Sequence, residues 1–274
     1  MVFLMWKYEG KIPMNPRPDK RESVPNGDSR AESLVRGMAA DHGRPLAPDE
    51  EAPENPRPTR HSHFNRAGQT HRTMAELDLL HTHADRAYPI LASLVTPRPI
   101  AWVSTLNEDG SVNLAPFSFF NVFGDDPPLV IFSPGNRNDG SPKDTALNCE
   151  RTGEFVVNLV SEELAETMVR TSASLPYGTS ELLLDKLEIL PSSVVSPPRI
   201  AAAPAALECK VHDIQIIGEN RLVFGIVHRV WIDDALFDET RLRVRGEIYH
   251  PVGRMSVPNW YCHTRDLFEM IRPA

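Results

Sequence analysis

Residues 95–121, VTPRPIAWVSTLNEDGSVNLAPFSFFN, constrain the fold more than any other part of the 274-residue chain, because they spell out a β-hairpin with a stiff entrance. Residues 100–105 are a short run of apolar, aromatic and β-branched side chains, which is strand composition. Asn107, Glu108, Asp109 and Gly110 supply the polar groups and the positive-φ glycine of a hairpin loop, and residues 112–115 restart the chain as the partner strand. Pro97 and Pro99 have no N–H to donate, so they belong before the strand or at an edge, where they stiffen the backbone. A rigid rim beside a sheet edge suits a flat ligand. Residues 115–121 alternate rings with small polar groups, an order that gives one apolar face and one row of hydrogen-bonding groups. On local pattern alone, the segment is equally an ordinary hairpin with a proline-rich entrance.

Hydrophobic residues make up 41% of the chain, and no window is apolar for long enough to cross a bilayer, so a globular protein without a membrane partner is expected. Residues 1–6 are apolar, but Lys7, Glu9 and Lys11 follow and no small-residue cleavage site appears, which argues against a secretory signal. Cys149, Cys209 and Cys262 form neither a CxxC pair nor an even set, the pattern of reduced thiols in the cytoplasm. Residues 1–73 hold twelve Lys and Arg against ten Asp and Glu, leaving a formal charge of −10 on the rest. An acidic body argues against nucleic acid. The same 73 residues contain nine prolines and few consecutive apolar positions, so they cannot bury enough surface to offset ordering and are expected to be disordered, with a transient helix at most over 32–40. The composition changes at Met74, making residues 74–274 the compact domain and 1–73 a dispensable extension.

Past that boundary the chain reads as strands with two helical interruptions. Residues 129–133 and 154–160 are strands following the breakers Asp126-Pro127-Pro128 and Gly153. Residues 143–151 have helical composition, with Ser141 or Asp144 as N-cap and Gly153 as the stop; residues 161–172 form a second helix. Residues 175–204 are a proline-rich excursion that folds over a site or a partner subunit. Residues 206–217 and 221–231 make the clearest hairpin, 243–249 add a last strand, and 264–273 are a short amphipathic tail. Antiparallel hairpins without βαβ alternation predict a mainly β fold with a few helices, a closed or partly closed barrel.

Lys143-Asp144-Thr145 sets a cation, an acid and a hydroxyl at a helix start, where free N–H groups and the macrodipole favour an anion, or simply form a solvated cap. Ser118 and Asn121 either receive ligand polar atoms or terminate a strand on their own backbone. His61-x-His63 and His81-x-His83 lack further ligands at metal spacing, so no metal is expected. His228 reads as a packed strand residue. His250, Arg254 and Tyr261 contact substrate or cofactor, or form an ordinary polar surface. There is no GxGxxG after a strand, GxxxxGK[ST], HExxH or GxSxG, which removes the main support for Rossmann, P-loop, zincin and α/β-hydrolase readings.

Five blocks in order, Tyr88-Pro89-Ile90-Leu91, residues 96–105, residues 113–121, Asp126-Pro127-Pro128-Leu129 and Lys143-Asp144-Thr145, resemble the flavin reductase-like, FMN-binding split-barrel family from about residue 80 to the C-terminus. Pro251-Val252-Gly253-Arg254-Met255, then Tyr261 and Phe268-Glu269, resemble its closing segment, although Ser256-Val257-Pro258 replaces the usual glycine pair. The resemblance implies an antiparallel split β-barrel and a homodimer holding FMN near the subunit interface. Thr96, Pro97, Arg98, Ala115, Pro116, Phe117, Ser118, Phe119 and Asn121 would line the isoalloxazine and ribityl chain. Lys143, Asp144 and Thr145, with Ser104 and Thr105, would hold the phosphate, and backbone amides near residues 115–117 would face N1 or O2. It further implies hydride transfer from NAD(P)H without an acid/base dyad, so no catalytic side chain is assigned. Reduced flavin would serve a partner oxygenase or an acceptor within the site. Non-catalytic FMN storage or redox sensing, and a split-barrel oxidase acting on an organic substrate, are the competing readings.

Overall fold

The computed structural model describes residues 59–61 and 74–273. Most of the proline-rich extension, including the proposed helix at 32–40, lies outside the described residues. Thr59–His61 pairs antiparallel with Met74–Glu76, a short ladder that composition does not predict.

Seven strands carry the fold: β1 (Ala101–Leu106), β2 (Val112–Phe117), β3 (Phe120–Asp125), β4 (Pro128–Phe132), β5 (Glu154–Asn158), β6 (Ala205–Ile217) and β7 (Asn220–Ile232). They form one antiparallel sheet in the order β2-β1-β5-β6-β7-β4-β3. The two edge strands, β2 and β3, are neighbours in sequence, separated by Ser118 and Phe119. The sheet therefore curls until its ends meet at that turn without pairing, which is a split barrel. Its interior is filled from nearly every strand, by Val103, Phe117, Phe132, Phe155, Val157, Cys209 and Val223 among others. Phe117 from one edge meets Phe132 at 5.5 Å between ring centroids, and Phe132 meets Phe155 at 5.2 Å. A Cβ on Gly225 would lie 2.3 Å from Phe155 Cζ, so β7 crosses that ring only because its residue there is glycine.

The hairpin forms as its loop chemistry dictates. Asn107 N bonds Ser111 O at 2.8 Å, Gly110 N bonds Asn107 O at 3.1 Å, and Gly110 takes φ +83°. β1 is buried on both faces, with Ala101 and Val103 in the barrel and Trp102 in an outer cluster with Leu114, Met168 and Ile200. Trp102 Nε1 donates to Thr171 Oγ1 at 2.8 Å beneath that cover.

Three helices complete the domain: α1 (Ala87–Leu94), α2 (Asp144–Thr152) and α3 (Ala165–Arg170). α2 and α3 are the expected pair, and Gly153 stops α2 in the left-handed conformation at φ +68°. α1 is not evident in the sequence because Pro89 reads as a breaker. Proline falls in the first turn, where no helical hydrogen bond is lost. β3 is also unexpected. The chain reverses at Ser118–Phe119, and a bulge between Val122 and Gly124 breaks the alternation that would mark the strand. Residues 243–249 do not form a full strand. Only Arg243–Val244 pairs, with Phe237–Asp238, after which Ile248 N and Tyr249 N turn back to Arg245 O. The excursion at 175–204 lies on the outer face of β1 and β2. Ser180 Oγ donates to Val112 O, Glu181 Oε2 accepts Leu114 N at 2.8 Å, and the buried Glu208 carboxylate accepts Ser193 N and Val194 N at 2.9 and 2.7 Å. Among the described residues no helix is long and apolar enough to cross a membrane.

Candidate functional site

The entrance to the hairpin is held by Arg98. Thr96–Pro97 is a cis peptide, and the Arg98 backbone exchanges bonds with Arg254, N to O at 2.9 Å and O from N at 2.8 Å. The buried guanidinium donates to Ala92 O at the end of α1, to Val95 O at 2.7 Å, to Met255 O at 2.9 Å and to Ser118 Oγ at 3.4 Å. Arg98 is thus an internal clamp joining α1, the hairpin and the closing segment. A Cβ on Gly253 would sit 2.9 Å from Pro97 Cβ and 2.8 Å from Cys262 Sγ, so glycine lets the closing segment press against the proline rim.

That rim borders a cavity of about 400 Å³ between α1, the β2–β3 turn and β4. Pro97, Arg98, Ser118, Phe119 and Asn121, all expected at the site, line it together, and so do Leu91, Phe123 and Leu222, which the sequence does not single out. Its walls are mostly apolar and aromatic, with Ser118, Asn121 and Ser133 as polar edges. Such a slot suits a flat ring with a few heteroatoms.

A second site lies at the start of α2. Asn113 Nδ2 donates to Thr105 Oγ1 at 3.0 Å and Thr145 Oγ1 at 2.8 Å, while Asn148 Nδ2 donates to Thr105 Oγ1 at 3.0 Å and Asn107 Oδ1 at 2.9 Å. This buried network seats α2 on β1 and β2. It also redefines two expected ligands, because Thr105 and Thr145 are docking groups inside the protein. Lys143 is the N-cap residue and makes no side-chain cap bond. Neither Ser141 nor Asp144 caps the helix. Asp144, already in the first turn, pairs with Arg137 at 2.5 Å and accepts Gly178 N at 3.0 Å, while Ser141 meets Asp139 and Tyr177.

Lys143 Nζ lies 5.6 Å from the Phe117 ring centroid, with no hydrogen-bond or ion-pair partner among the described residues. Burial, with Arg137 nearby, holds its ammonium below the usual lysine range. Arg137 stacks 3.7 Å above the Tyr177 ring and donates to Leu175 O at 2.9 Å, yet its buried Nε has no partner. An ammonium without a partner, with a second cation beside it at a helix N-terminus, is an arrangement that could receive an anion. Arg137 and Tyr177 escaped the sequence reading. The polar run Asn136-Arg137-Asn138-Asp139-Gly140 before the Lys-Asp-Thr block is the signal that was available.

Other expectations need correction. Ser104 points to the outer face of β1 and donates to Pro198 O at 2.6 Å, away from the cavity. Leu114 N turns outward to Glu181, so alternation directs the Ala115 and Phe117 amides into the β1 ladder, and Pro116 has none; they cannot face a ligand. Phe117 is core. None of Thr96, His250, Arg254 and Tyr261 lines the cavity. Arg254 donates to Trp260 O at 3.0 Å and Pro258 O at 2.6 Å and stands 4.8 Å over Tyr261, bracing the closing turn. His250 Nδ1 is buried without a partner. Among the described residues no group of His, Cys, Asp and Glu could hold a metal.

Residues 93–251 match the family described as flavin reductase like domain. An uncharacterized protein of Deinococcus radiodurans is 43% identical over 70% of this chain and 90% of its own. The structure of nitrilotriacetate monooxygenase component B from Bacillus cereus is 29% identical, covers 73% of this chain and 100% of that one, and superposes with a TM-score of 0.68. The 2-nitrobenzoate 2-nitroreductase of Pseudomonas fluorescens is 34% identical over 77% of this chain and 96% of its own, with a TM-score of 0.63.

Proposed function

The chain belongs to the flavin reductase-like domain family, and from that premise we propose that it is an FMN-dependent oxidoreductase, an NAD(P)H:flavin reductase that passes reduced flavin or electrons to a separate acceptor. The observation that carries this reading is an apolar cavity lined by Phe132 together with a cationic corner whose Lys143 stands over Phe117, the ring that packs on Phe132.

The residues present fit FMN at both ends. The cavity between Pro97, Phe119 and Phe132 has the shape and polarity for an isoalloxazine, and Ser118 and Asn121 would hold its polar edge. Lys143 Nζ and the α2 N-terminus would take the phosphate, with the Arg137 charge beside them. FMN held there would supply two-electron chemistry, with a nicotinamide as the hydride donor. The protein's part is to orient and to exclude water. Arg98 fixes the rim, Gly253 lets the closing segment pack on it, and the Asn113–Thr105–Asn148 network fixes α2 and therefore the anion receptor.

The exposed apolar edge of the cavity, Leu91, Val95, Phe119 and Phe123, suits a second copy of the chain, hence a homodimer. Similarity to a monooxygenase component favours an oxygenase as the recipient of reduced flavin. The three free cysteines suit the cytoplasm. Similarity to a nitroreductase favours a second reading, in which an organic acceptor is reduced within the site.

The purified protein should show a flavin absorption spectrum after loading and oxidise NADH or NADPH with added FMN. Failure to bind flavin overturns the proposal. Bound flavin without nicotinamide oxidation transfers it to storage or redox sensing.

A further inference from the structure

Among the described residues two exposed apolar surfaces stand out. The first is the C-terminal tail. Its root is fixed, because Thr264 Oγ1 donates to Pro251 O at 2.6 Å and Glu162 pairs with both His263 and Arg265. Beyond that root the chain has no regular secondary structure, and Leu267, Phe268, Met270 and Ile271 are 63%, 84%, 81% and 91% exposed. The second is the rim of the cavity, where the lining residues Leu91, Val95, Phe119 and Phe123 are exposed, with Leu94 at the end of α1 and Val122 on β3 exposed beside them. Single exposed apolar residues are ordinary, but four large ones within five positions, in a chain that also exposes an apolar rim, mark an interface.

We propose that the tail of one protomer crosses to a second copy of this chain and lies along its α1–β3 rim, closing that copy's cavity. The tail does not rest on its own body, as its exposure shows. Residues 266–273 extend by up to about 26 Å, enough to pass from a fixed root onto a neighbour. Under a two-fold axis each copy gives one tail and receives one, so a single symmetry operation covers both surfaces of both chains. Four such side chains and the rim they cover, counted for both tails, bury on the order of 1,600 Å², the size of a stable interface. β3 adds a reason: as an edge strand it leaves main-chain groups open beside the rim, which an extended segment can meet. This deepens the flavin reading by making the site incomplete in a single protomer.

The test uses the full chain in a Cys262→Ser background. Phe268→Cys and Val122→Cys variants, carrying different tags, are co-expressed and oxidised. A covalent dimer containing both tags, absent when either variant is expressed alone, is the expected result. Absence of that dimer, or a link formed only within one chain carrying both substitutions, overturns the proposal. In parallel, Phe268→Asp combined with Ile271→Asp should weaken self-association by about tenfold or more per side chain, read by sedimentation. Undiminished association also overturns it. FMN titration of the unmodified protein separates the two ideas. Failure to bind flavin removes the functional reading while a mixed-tag dimer upholds the tail exchange, and flavin binding without the mixed-tag dimer does the reverse.

Discussion

Arg98 at the cavity rim and Arg137 with Lys143 at the start of α2 are the cations of the candidate site, yet they do opposite things. Arg98 is buried with donors committed to Ala92, Val95 and Met255 carbonyls and to Ser118. At the start of α2, by contrast, Lys143 has only an aromatic ring beside it, and Arg137 keeps a buried N–H without a partner. The first arrangement is architecture and the second is the proposed receptor. A cation in a motif therefore carries little information until the partners of its donors are known.

Removing the architectural cation should produce the largest effect. Arg98→Ala leaves three carbonyls without their donor at the junction of α1, the hairpin and the closing segment, and should cost about 4 kcal/mol of stability, or a fall of roughly 10 °C in Tm. Calorimetry checks this. An unchanged Tm with collapsed flavin affinity would erase the distinction between the two sites.

Glu181 couples the excursion to the receptor. Burial pushes its carboxyl up to about 7, while Leu114 N donates to it and Asp144 and Arg137 act on it from the α2 corner. A raised acid favours folding in its protonated form, so the contribution is complete below about 4.5 and is lost as pH rises through about 7. The loss across that window is about 3 kcal/mol, by the shift alone. Glu181→Gln retains an acceptor for Leu114 N and should flatten the dependence, seen as converging urea midpoints at pH 5 and pH 7.5.

The receptor itself gives a smaller, selective effect. Lys143→Ala should weaken FMN by about 10- to 100-fold, the value of one charge-assisted contact, and leave riboflavin nearly unchanged. Its stability should hold or rise slightly, because a half-buried unpaired ammonium is removed. Fluorescence titration with both flavins decides. Equal weakening would place Lys143 at the ring instead of the phosphate.

What the sequence made legible follows local rules. The β1–β2 hairpin, the long β6–β7 pair and the Gly153 stop of α2 each rest on turn chemistry or periodicity within a dozen residues. Alternation puts Ser104 and Thr105 on opposite faces of β1, so the two could not both face the phosphate as expected, but it could not say what lies on either face. The excursion took Ser104 through Pro198 O, and α2 took Thr105 through Asn148. Likewise β3 is hidden by its bulge, and Arg137 meets Tyr177 only because the fold returns the chain across 40 residues. Motif order named Pro97, Arg98, Ser118, Phe119 and Asn121, which share one cavity, while the division of the candidate residues into clamps and ligands depends on long-range partners.

Tyr177 offers the finest test of that division, since its two contributions can be separated. The ring supports Arg137 at 3.7 Å, and the hydroxyl reaches Ser141 Oγ and Pro142 O, both at 2.7 Å. Tyr177→Phe retains the stack and loses an exposed hydrogen bond, so it should cost at most about 1 kcal/mol in stability and change FMN affinity by less than about threefold. Tyr177→Ala also removes the surface that holds the guanidinium and should weaken FMN several times more than the Phe variant, with riboflavin again little affected. If the two variants bind FMN alike, Arg137 is oriented by Asp144 and Leu175 O alone, and the stacked ring belongs with the clamps.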